Sequence, residues 1–251
     1  MQLLLLNPNT SDHVTQRMRQ TAQTALSGAA DIVGVTATEG PRIVGSRAEN
    51  VLAAQQALAL GVAHAPGMDA VILAISTDAG LWALREILDI PVVGMLQAAL
   101  LCAAQLGQRV GLITLGAHML PVYQEQARLY QLDGLMHAWS APALPQAFAP
   151  HAQAVEPEVL AQLQLHAEQM IDSHDLDVLV LSGAVLSGYR AALQAQLPVP
   201  VIDGIEAAAW QAVAMARMGS AKARIGSFSR VMGREVSGMP AQLTARMRAL
   251  V

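Results

Sequence analysis

The stretch DAVILAISTDAGL at residues 69–81 has a near-repeat 108 residues further on, DVLVLSGAVLSGY at residues 177–189. Each copy begins with an acid, continues as an apolar run, crosses a small polar turn and reaches a glycine before a helical segment. A second short run opening with proline follows each copy, PVVG at 91–94 and PVID at 200–203. The repeat predicts two related α/β halves that face each other across a cleft.

Strand-like and helix-like segments alternate outward from these two repeats. Such alternation is typical of parallel, doubly wound sheets, in which ligands bind where the carboxyl ends of strands lead into helices. The predicted strands are Gln2–Leu6, Asp31–Val35, Ala70–Ile75, Pro91–Val93, Val110–Thr114, Val178–Leu181 and Val199–Ile202, and the predicted helices cover residues 10–26, 47–63, 80–88, 97–106, 120–130, 158–171, 188–197 and 204–218.

The fold class expected from this pattern is α/β, with two pseudo-symmetric, Rossmann-like halves, parallel sheets and an active-site cleft between them. The first half is predicted to take residues 1–95 together with 205–251, and the second to take residues 96–204. The Ala- and Pro-rich stretch 139–157 is the one linker candidate. The helix at 204–218 is the last element predicted.

Composition excludes several classes of protein. Of 251 residues, 53% are hydrophobic and 14% charged, which is too apolar for a disordered chain. No apolar run approaches the ~20 residues of a membrane-spanning helix, and the opening MQLLLL breaks at Asn-Pro-Asn without forming a signal peptide. The net charge of −4 disfavours nucleic-acid binding. We therefore expect a cytoplasmic protein that contacts neither nucleic acid nor membrane.

Two counts restrict the chemistry further. Cys102 is the single cysteine, which excludes an intrachain disulfide, a Cys-rich zinc site and any mechanism with two thiols. Lys222 is the single lysine and has no phosphate-binding loop around it, which disfavours pyridoxal phosphate. The seven histidines show no metal-ligand spacing, and no dinucleotide or Walker fingerprint is present. We therefore expect no cofactor and no metal.

A basic tail follows the last predicted helix. Residues 217–251 carry seven arginine and lysine side chains against the single acid Glu235. Such a tail either binds an acidic partner or forms a solvated face that pairs with acids elsewhere in the fold.

Several motifs, taken together, resemble the aspartate/glutamate/hydantoin racemase superfamily, and most closely its branch of hydantoin and allantoin racemases. They occur in the expected order over roughly residues 1–215: NPNTS, GPRIVGSRAEN, DAVILAISTDAGLWALREI with PVVGMLQAA, GQRVGLIT, and VLVLSGAVLSGY with VPVIDGIEAA. The resemblance implies cofactor-independent enzymes of two pseudo-symmetric halves. It also implies a mechanism in which a cysteine thiolate from one half removes the substrate α-proton and a cysteine thiol from the other half returns a proton on the opposite face.

The sequence departs from that family at both cysteines. The first would lie three residues before Asp78, where this chain has Ile75, and the second would lie where this chain has Gly183. Cys102 falls in the predicted helix 97–106, where a free cysteine is usually a small buried hydrophobe. Racemisation by paired thiols is therefore not expected, although the resemblance still implies a related substrate class.

Two titratable residues are candidates for proton transfer. Asp78, beside the missing thiol, can act as a general base if burial raises its pKa, or can instead cap the helix that starts near Gly80. His118 follows a predicted strand and can carry a proton near neutral pH, or can simply occupy a helix N-terminus.

The candidate binding residues are a guanidinium, two amides and several hydroxyls. Arg47 can hold a carboxylate with two hydrogen bonds, or can pair on the surface with Glu39 or Glu49. Asn7 and Asn9 can supply amide donors at the mouth of the cleft, or satisfy the turn around Pro8. The other candidates for holding a carboxylate or imide oxygen are hydroxyls in turns, where serine and threonine also cap helices: Ser46, Ser76, Thr77, Thr114, Ser182 and Ser187. Gly183, beside Ser182, is a further candidate binding position.

The leading hypothesis is a cofactor-independent isomerase or lyase acting at an acidic carbon next to a carboxylate, amide or hydantoin-type carbonyl. Hydrogen-bond donors would stabilise the enolate, and Asp78, His118 or water would handle the proton. The alternatives are a non-thiol decarboxylase and a binding protein without turnover. The partner is expected to be a small molecule with a carboxylate or imide group, and the chain is expected to form a homo-oligomer.

Overall fold

Two four-stranded parallel sheets form the framework in the computed structural model, which describes residues 1–144, 147, 155–230 and 233–249. The first sheet has the order β2-β1-β3-β4 and the second β6-β5-β7-β8. The strands are β1 Gln2–Asn7, β2 Asp31–Thr36, β3 Ala70–Leu73, β4 Val92–Gly94, β5 Val110–Ile113, β6 Met136–Ser140, β7 Val178–Leu181 and β8 Val201–Asp203. The predicted α/β fold with two parallel sheets is confirmed.

Helices cover the faces of both sheets and connect the parallel strands. Their bounds are α1 Asp12–Leu26, α2 Arg47–His64, α3 Leu81–Ile87, α4 Met95–Ala103, α5 Leu120–Leu129, α6 Pro157–His174, α7 Arg190–Gln194, α8 Gly204–Arg217 and α9 Ala241–Arg248. The central strands are apolar along their whole length because helices cover both of their faces. All four residues of β3 and all four of β7 are buried.

The chain returns to the first sheet after β8. Helix α8 contacts α1 and β3, and its Ala208 and Ala212 belong to the same apolar cluster as Leu5 of β1 and Ile72 of β3. Helix α9 then packs against α2. The division of the chain into halves 1–95 with 205–251 and 96–204 stays a prediction.

Two elements were missed from the sequence. Strand β6 extends into the predicted linker 139–157, of which residues 145, 146 and 148–154 lie outside the described part of the chain. It is an edge strand in which only Ala138 is buried, so its sequence is not the continuous apolar run that marks β3 and β7. Helix α9 follows the predicted last helix. Only Leu243 of α9 is buried, so its sequence shows little helical periodicity.

The basic tail binds acceptors of this chain at the C-terminal end of α3. The Lys222 ammonium donates to the carbonyls of Arg85 and Glu86, and Arg246 donates to the Ile87 carbonyl at 2.9 and 2.8 Å. Arg246 also lies 2.6 Å from the Asp89 carboxylate. The helix dipole favours cations near a helix C-terminus. These basic tail residues therefore have favourable partners within the chain itself.

Within the described residues, no helix combines the length and apolar character needed to cross a membrane.

Candidate functional site

A cavity lies where the carboxyl ends of the two sheets meet, and its volume is about 70 Å³. That is room for roughly five water molecules or a small organic molecule. The turns after β1, β3, β5 and β7 contribute to it, together with residues 42–44 before α2 and one residue each of α1 and α5. The lining is Asn9, Val14, Arg42, Ile43, Val44, Ile75, Ser76, Thr114, Leu115, Tyr123, Gly183, Ala184 and Val185.

Hydroxyl groups from three elements converge on this cavity. The Ser76 and Tyr123 hydroxyl oxygens are 2.6 Å apart. Thr114 also lines the cavity, and its buried Oγ1 has no hydrogen-bond partner among the described residues. Burial raises the pKa of Tyr123, and the hydrogen bond with the Ser76 hydroxyl partly offsets this. Tyr123 therefore stays protonated near neutral pH and remains a hydrogen-bond donor.

Arg42 supplies the one charged side chain in the described lining. Its backbone is fixed against the turn after β1, because the Ser11 hydroxyl donates to the Arg42 carbonyl at 2.7 Å. The side chain is exposed, as a cation at the mouth of a cavity would be. Neither Arg42 nor Tyr123 was predicted from the sequence. Arg42 could have been, because it lies in the GPRIVGSRAEN segment five residues before Arg47.

Aliphatic side chains form the rest of the wall. They come from both halves of the molecule and comprise Val14, Ile43, Val44, Ile75, Leu115 and Val185. The cavity therefore combines a polar group of donors with an apolar surface, as small-molecule sites usually do.

Asp78 is a structural cap in this arrangement and does not line the cavity. Its carboxylate accepts from Leu96 N at 3.0 Å, from Gln97 N at 2.8 Å and from the Tyr130 hydroxyl at 2.7 Å. It therefore caps α4, and not the helix starting near Gly80 that the sequence suggested. Burial raises the pKa of Asp78 to about 6, against the lowering effect of these bonds and of Arg85. Although the pKa suits a general base, both oxygens are engaged.

His118 and Arg47 also lie outside the cavity lining. His118 is exposed in the single helical turn Ala117–Met119. Arg47 makes a two-point ion pair with Glu125 of α5, at 2.7 and 2.6 Å, and its side chain is 62% exposed. Its partner is therefore neither Glu39 nor Glu49. Glu49 instead accepts from Gly45 N and the Ser46 hydroxyl at the N-terminus of α2.

The remaining predicted residues divide between cavity and scaffold. Ser76, Thr114, Ile75 and Gly183 line the cavity. Ser46 caps α2 by accepting from Glu49 N at 3.2 Å, and Thr77 donates to Asn50 at 2.6 Å. Asn7 is fully buried and donates to Asn9 and Thr15, which holds the turn after β1. Ser182 is buried at the end of β7, next to Gly183.

Ile75 and Gly183 reach the same cavity from opposite sheets, as the internal repeat suggested. A side chain would fit at residue 183. The nearest atoms to a Cβ there would be those of Leu186 at 3.5 Å and Thr114 Oγ1 at 3.9 Å, which are ordinary contacts, and its φ of 164° is extended backbone. Packing therefore does not require glycine at this position.

The described residues offer no cluster of three or more histidine, cysteine or acidic side chains that could hold a metal ion. Cys102 lies on α4 with Sγ 3.4 Å from Gln211 Nε2 and is not part of the cavity lining.

Comparison with known proteins gives a consistent result. A hydantoin racemase from Rhizobium meliloti is 26% identical over 231 residues, covering 91% of this chain and 94% of that protein. The structure of an allantoin racemase from Pseudomonas fluorescens superposes with a TM-score of 0.88 at 25% identity, covering 95% of this chain and all of that one. An allantoin racemase from Klebsiella pneumoniae superposes with a TM-score of 0.90 at 22% identity, covering 97% and 99%. The family described as Asp/Glu/Hydantoin racemase matches residues 3–212, and this chain belongs to that family.

Proposed function

We propose that this protein is a cofactor-independent enzyme that forms an enolate from a small molecule bound in the cavity between the two sheets. The reacting carbon would lie next to a carboxylate, amide or hydantoin-type carbonyl. The observation that carries the proposal is the convergence of the Ser76, Thr114 and Tyr123 hydroxyls with Arg42 on one small cavity. Donors placed where negative charge develops stabilise an enolate oxygen, and one such donor is commonly worth 10²–10³-fold in rate.

The family supports this substrate class. Aspartate, glutamate and hydantoins each have a carbon that a neighbouring carbonyl makes acidic, and three of the relatives that match this chain are named hydantoin racemases. Removing the α-proton of such a carbon requires a base within hydrogen-bond reach. None of the described lining residues carries a thiol, a carboxylate or an imidazole.

Loss of carbon dioxide is therefore the route that this lining favours over proton abstraction. The electron pair of the C–C bond to a carboxylate passes to the reacting carbon and its carbonyl oxygen, which the hydroxyl donors hold. Carbon dioxide leaves, and the enolate takes one proton from Tyr123 or from water, with the donor recovering its proton from solvent. This series of reaction steps needs hydrogen-bond donors and an apolar wall, but it needs no basic side chain of the protein. A malonate bearing one apolar substituent has the required groups.

The test begins with thermal unfolding in the presence of singly substituted malonates, hydantoins, aspartate and glutamate. Any compound that raises the melting temperature is then incubated with the enzyme and followed by NMR for loss of carbon dioxide. We expect a malonate to bind and to be decarboxylated by the wild-type chain. Ligand stabilisation without any turnover would support the binding-protein alternative and contradict the enzyme proposal.

Matched arginine variants locate the site. Arg42→Gln removes the cation at the cavity, and Arg47→Gln removes a cation five residues away that pairs with Glu125. We expect at least a tenfold rise in Kd for Arg42→Gln because a charge-assisted hydrogen bond is lost. Arg47→Gln should leave Kd unchanged, and equal losses in both variants would contradict the assignment.

Tyr123→Phe separates binding from catalysis. Removing the hydroxyl is expected to lower kcat by about 10²-fold while KM changes little, since the donor acts on charge that appears only in the transition state. The absence of a cofactor, the homo-oligomeric state and the cytoplasmic location stay predictions.

A further inference from the structure

A second cleft, larger than the cavity between the sheets, lies next to the turn that follows β7. It has a volume of about 490 Å³ and is bordered by α1, by residues 187 and 188 of that turn, by α7 and by α8. Its described lining includes the polar side chains Arg17, Thr21, Ser187, Arg190 and Glu206. None of these five residues belongs to the cavity described above.

The Ser187 hydroxyl in this cleft has no hydrogen-bond partner within the described residues, although the residue is only 4% exposed. Buried hydroxyls in folded proteins are almost always paired, because an unpaired one costs free energy. An unpaired hydroxyl on the wall of a polar cleft therefore indicates a missing partner.

Two guanidinium groups give the cleft its positive charge. Arg190 donates through Nε to Glu206 at 2.6 Å, and in the described part of the chain its two terminal nitrogens make no hydrogen bond. Arg17 is 7% exposed and donates to the Val185 carbonyl at 2.6 Å. Glu206 is the one acid in the described lining, and the buried Asp203 carboxyl accepts from Gly188 N at 2.9 Å nearby.

We propose that this cleft binds a small oxyanion, a carboxylate or a phosphate group, between the terminal nitrogens of Arg190 and the Ser187 hydroxyl. Glu206 holds Arg190 through Nε, which leaves the paired nitrogens of the guanidinium for a two-point interaction with such a group. The site is independent of the function proposed for the cavity. The two are nevertheless adjacent, since Val185 lines the cavity and its carbonyl is held by Arg17 of the cleft.

Calorimetric titration of the wild-type protein with inorganic phosphate and, separately, with acetate tests the site. We expect saturable binding of at least one of the two, and the stronger one identifies the preferred anion. Ser187→Ala is expected to weaken that binding by about tenfold, as loss of one hydrogen bond to a charged group does. It should not lower the melting temperature without ligand, because the hydroxyl has no partner to lose.

Two arginine variants complete the test. Arg190→Gln is expected to abolish binding of the anion, while Arg42→Gln, which alters the cavity, should leave it unchanged. The proposal is overturned if neither anion binds, if Ser187→Ala binds as tightly as the wild type, or if the loss follows Arg42 and not Arg190. In the last case the anion occupies the cavity.

Discussion

The two sheets share one strand order, yet each half fixes its cavity-lining turn with a carboxylate from a different place. In the first half Asp78, from the turn after β3, reaches the N-terminus of α4 and accepts from Leu96 N and Gln97 N. In the second half Asp203, from the end of β8, accepts from Ile205 N and Glu206 N of α8, and from Gly188 N in the turn after β7.

In the aligned repeats, each carboxylate has an uncharged residue at the equivalent position of the other half. Leu186 occupies the position of Asp78, and Gly94 occupies the position of Asp203. A Cβ at Gly94 would lie 2.5 Å from Asp78 Cγ, so this residue must be glycine for the carboxylate to enter. The two halves share a hydrogen-bonded link between a turn and a nearby helix, but the residue that makes the link differs. Since both turns line the cavity, both carboxylates position it.

The largest expected effect is on the rate of racemisation, when a thiol is placed on each of the two faces of the cavity. Ile75→Cys combined with Gly183→Cys would place one thiol on each face, and residue 183 has room for the side chain. We expect the double variant to racemise a bound hydantoin at least 10²-fold faster than either single variant, because two-face proton transfer needs both groups. Polarimetry measures this, and a single variant as fast as the double would contradict it.

Loss of either buried carboxylate is the next largest effect. Asp78→Ala and Asp203→Ala each leave buried N–H groups unpaired, and each is expected to lower the free energy of unfolding by about 3 kcal/mol. Urea denaturation measures the loss. Asp31→Ala, which removes an exposed acid at the start of β2, is the control and should change little. A negligible loss in either buried variant would show that the carboxylate is dispensable.

Moving the carboxylate between positions sharpens the comparison. In the Asp78→Ala background, Gly94→Asp recreates in the first half the cap that Asp203 makes in the second. We expect it to recover about 1 kcal/mol, the usual value of a helix N-cap. In the wild-type background the same change should destabilise, because its Cβ meets the Asp78 carboxyl. A double variant no more stable than Asp78→Ala would contradict the equivalence.

The two carboxyls also predict a pH dependence. Burial raises the pKa of both Asp78 and Asp203 to about 6, from a usual value of 3.8. Between these values the folded state holds a proton that the unfolded state has released, so this contribution to stability falls as pH rises from 4 to 6 and then levels off. Compared with Asp78→Asn, the wild type should lose about 1.4 kcal/mol per pH unit over this window. A difference that is flat or rising in urea denaturation would contradict the raised pKa.

The framework was predictable from sequence because its strands are continuous apolar runs between turn residues, as in β3 and β7. The shared position of Ile75 and Gly183 followed from the repeat. The roles of side chains did not follow, because they depend on contacts between distant segments. Asp78 meets Tyr130 across 52 residues, and Arg47 meets Glu125 across 78. Tyr123, which meets Ser76 across 47 residues, was missed for the same reason.

The central claim is that the cavity supplies hydrogen-bond donors but no protein base. One NMR experiment in D₂O tests it most directly, with the wild-type enzyme given an apolar-substituted malonate in one sample and an enantiopure hydantoin in another. The account predicts that the malonate loses carbon dioxide and gains one deuterium at the reacting carbon, while the hydantoin keeps both its α-proton and its optical rotation. Rapid exchange of the hydantoin α-proton with loss of rotation would contradict it and reveal a base that the described lining does not contain.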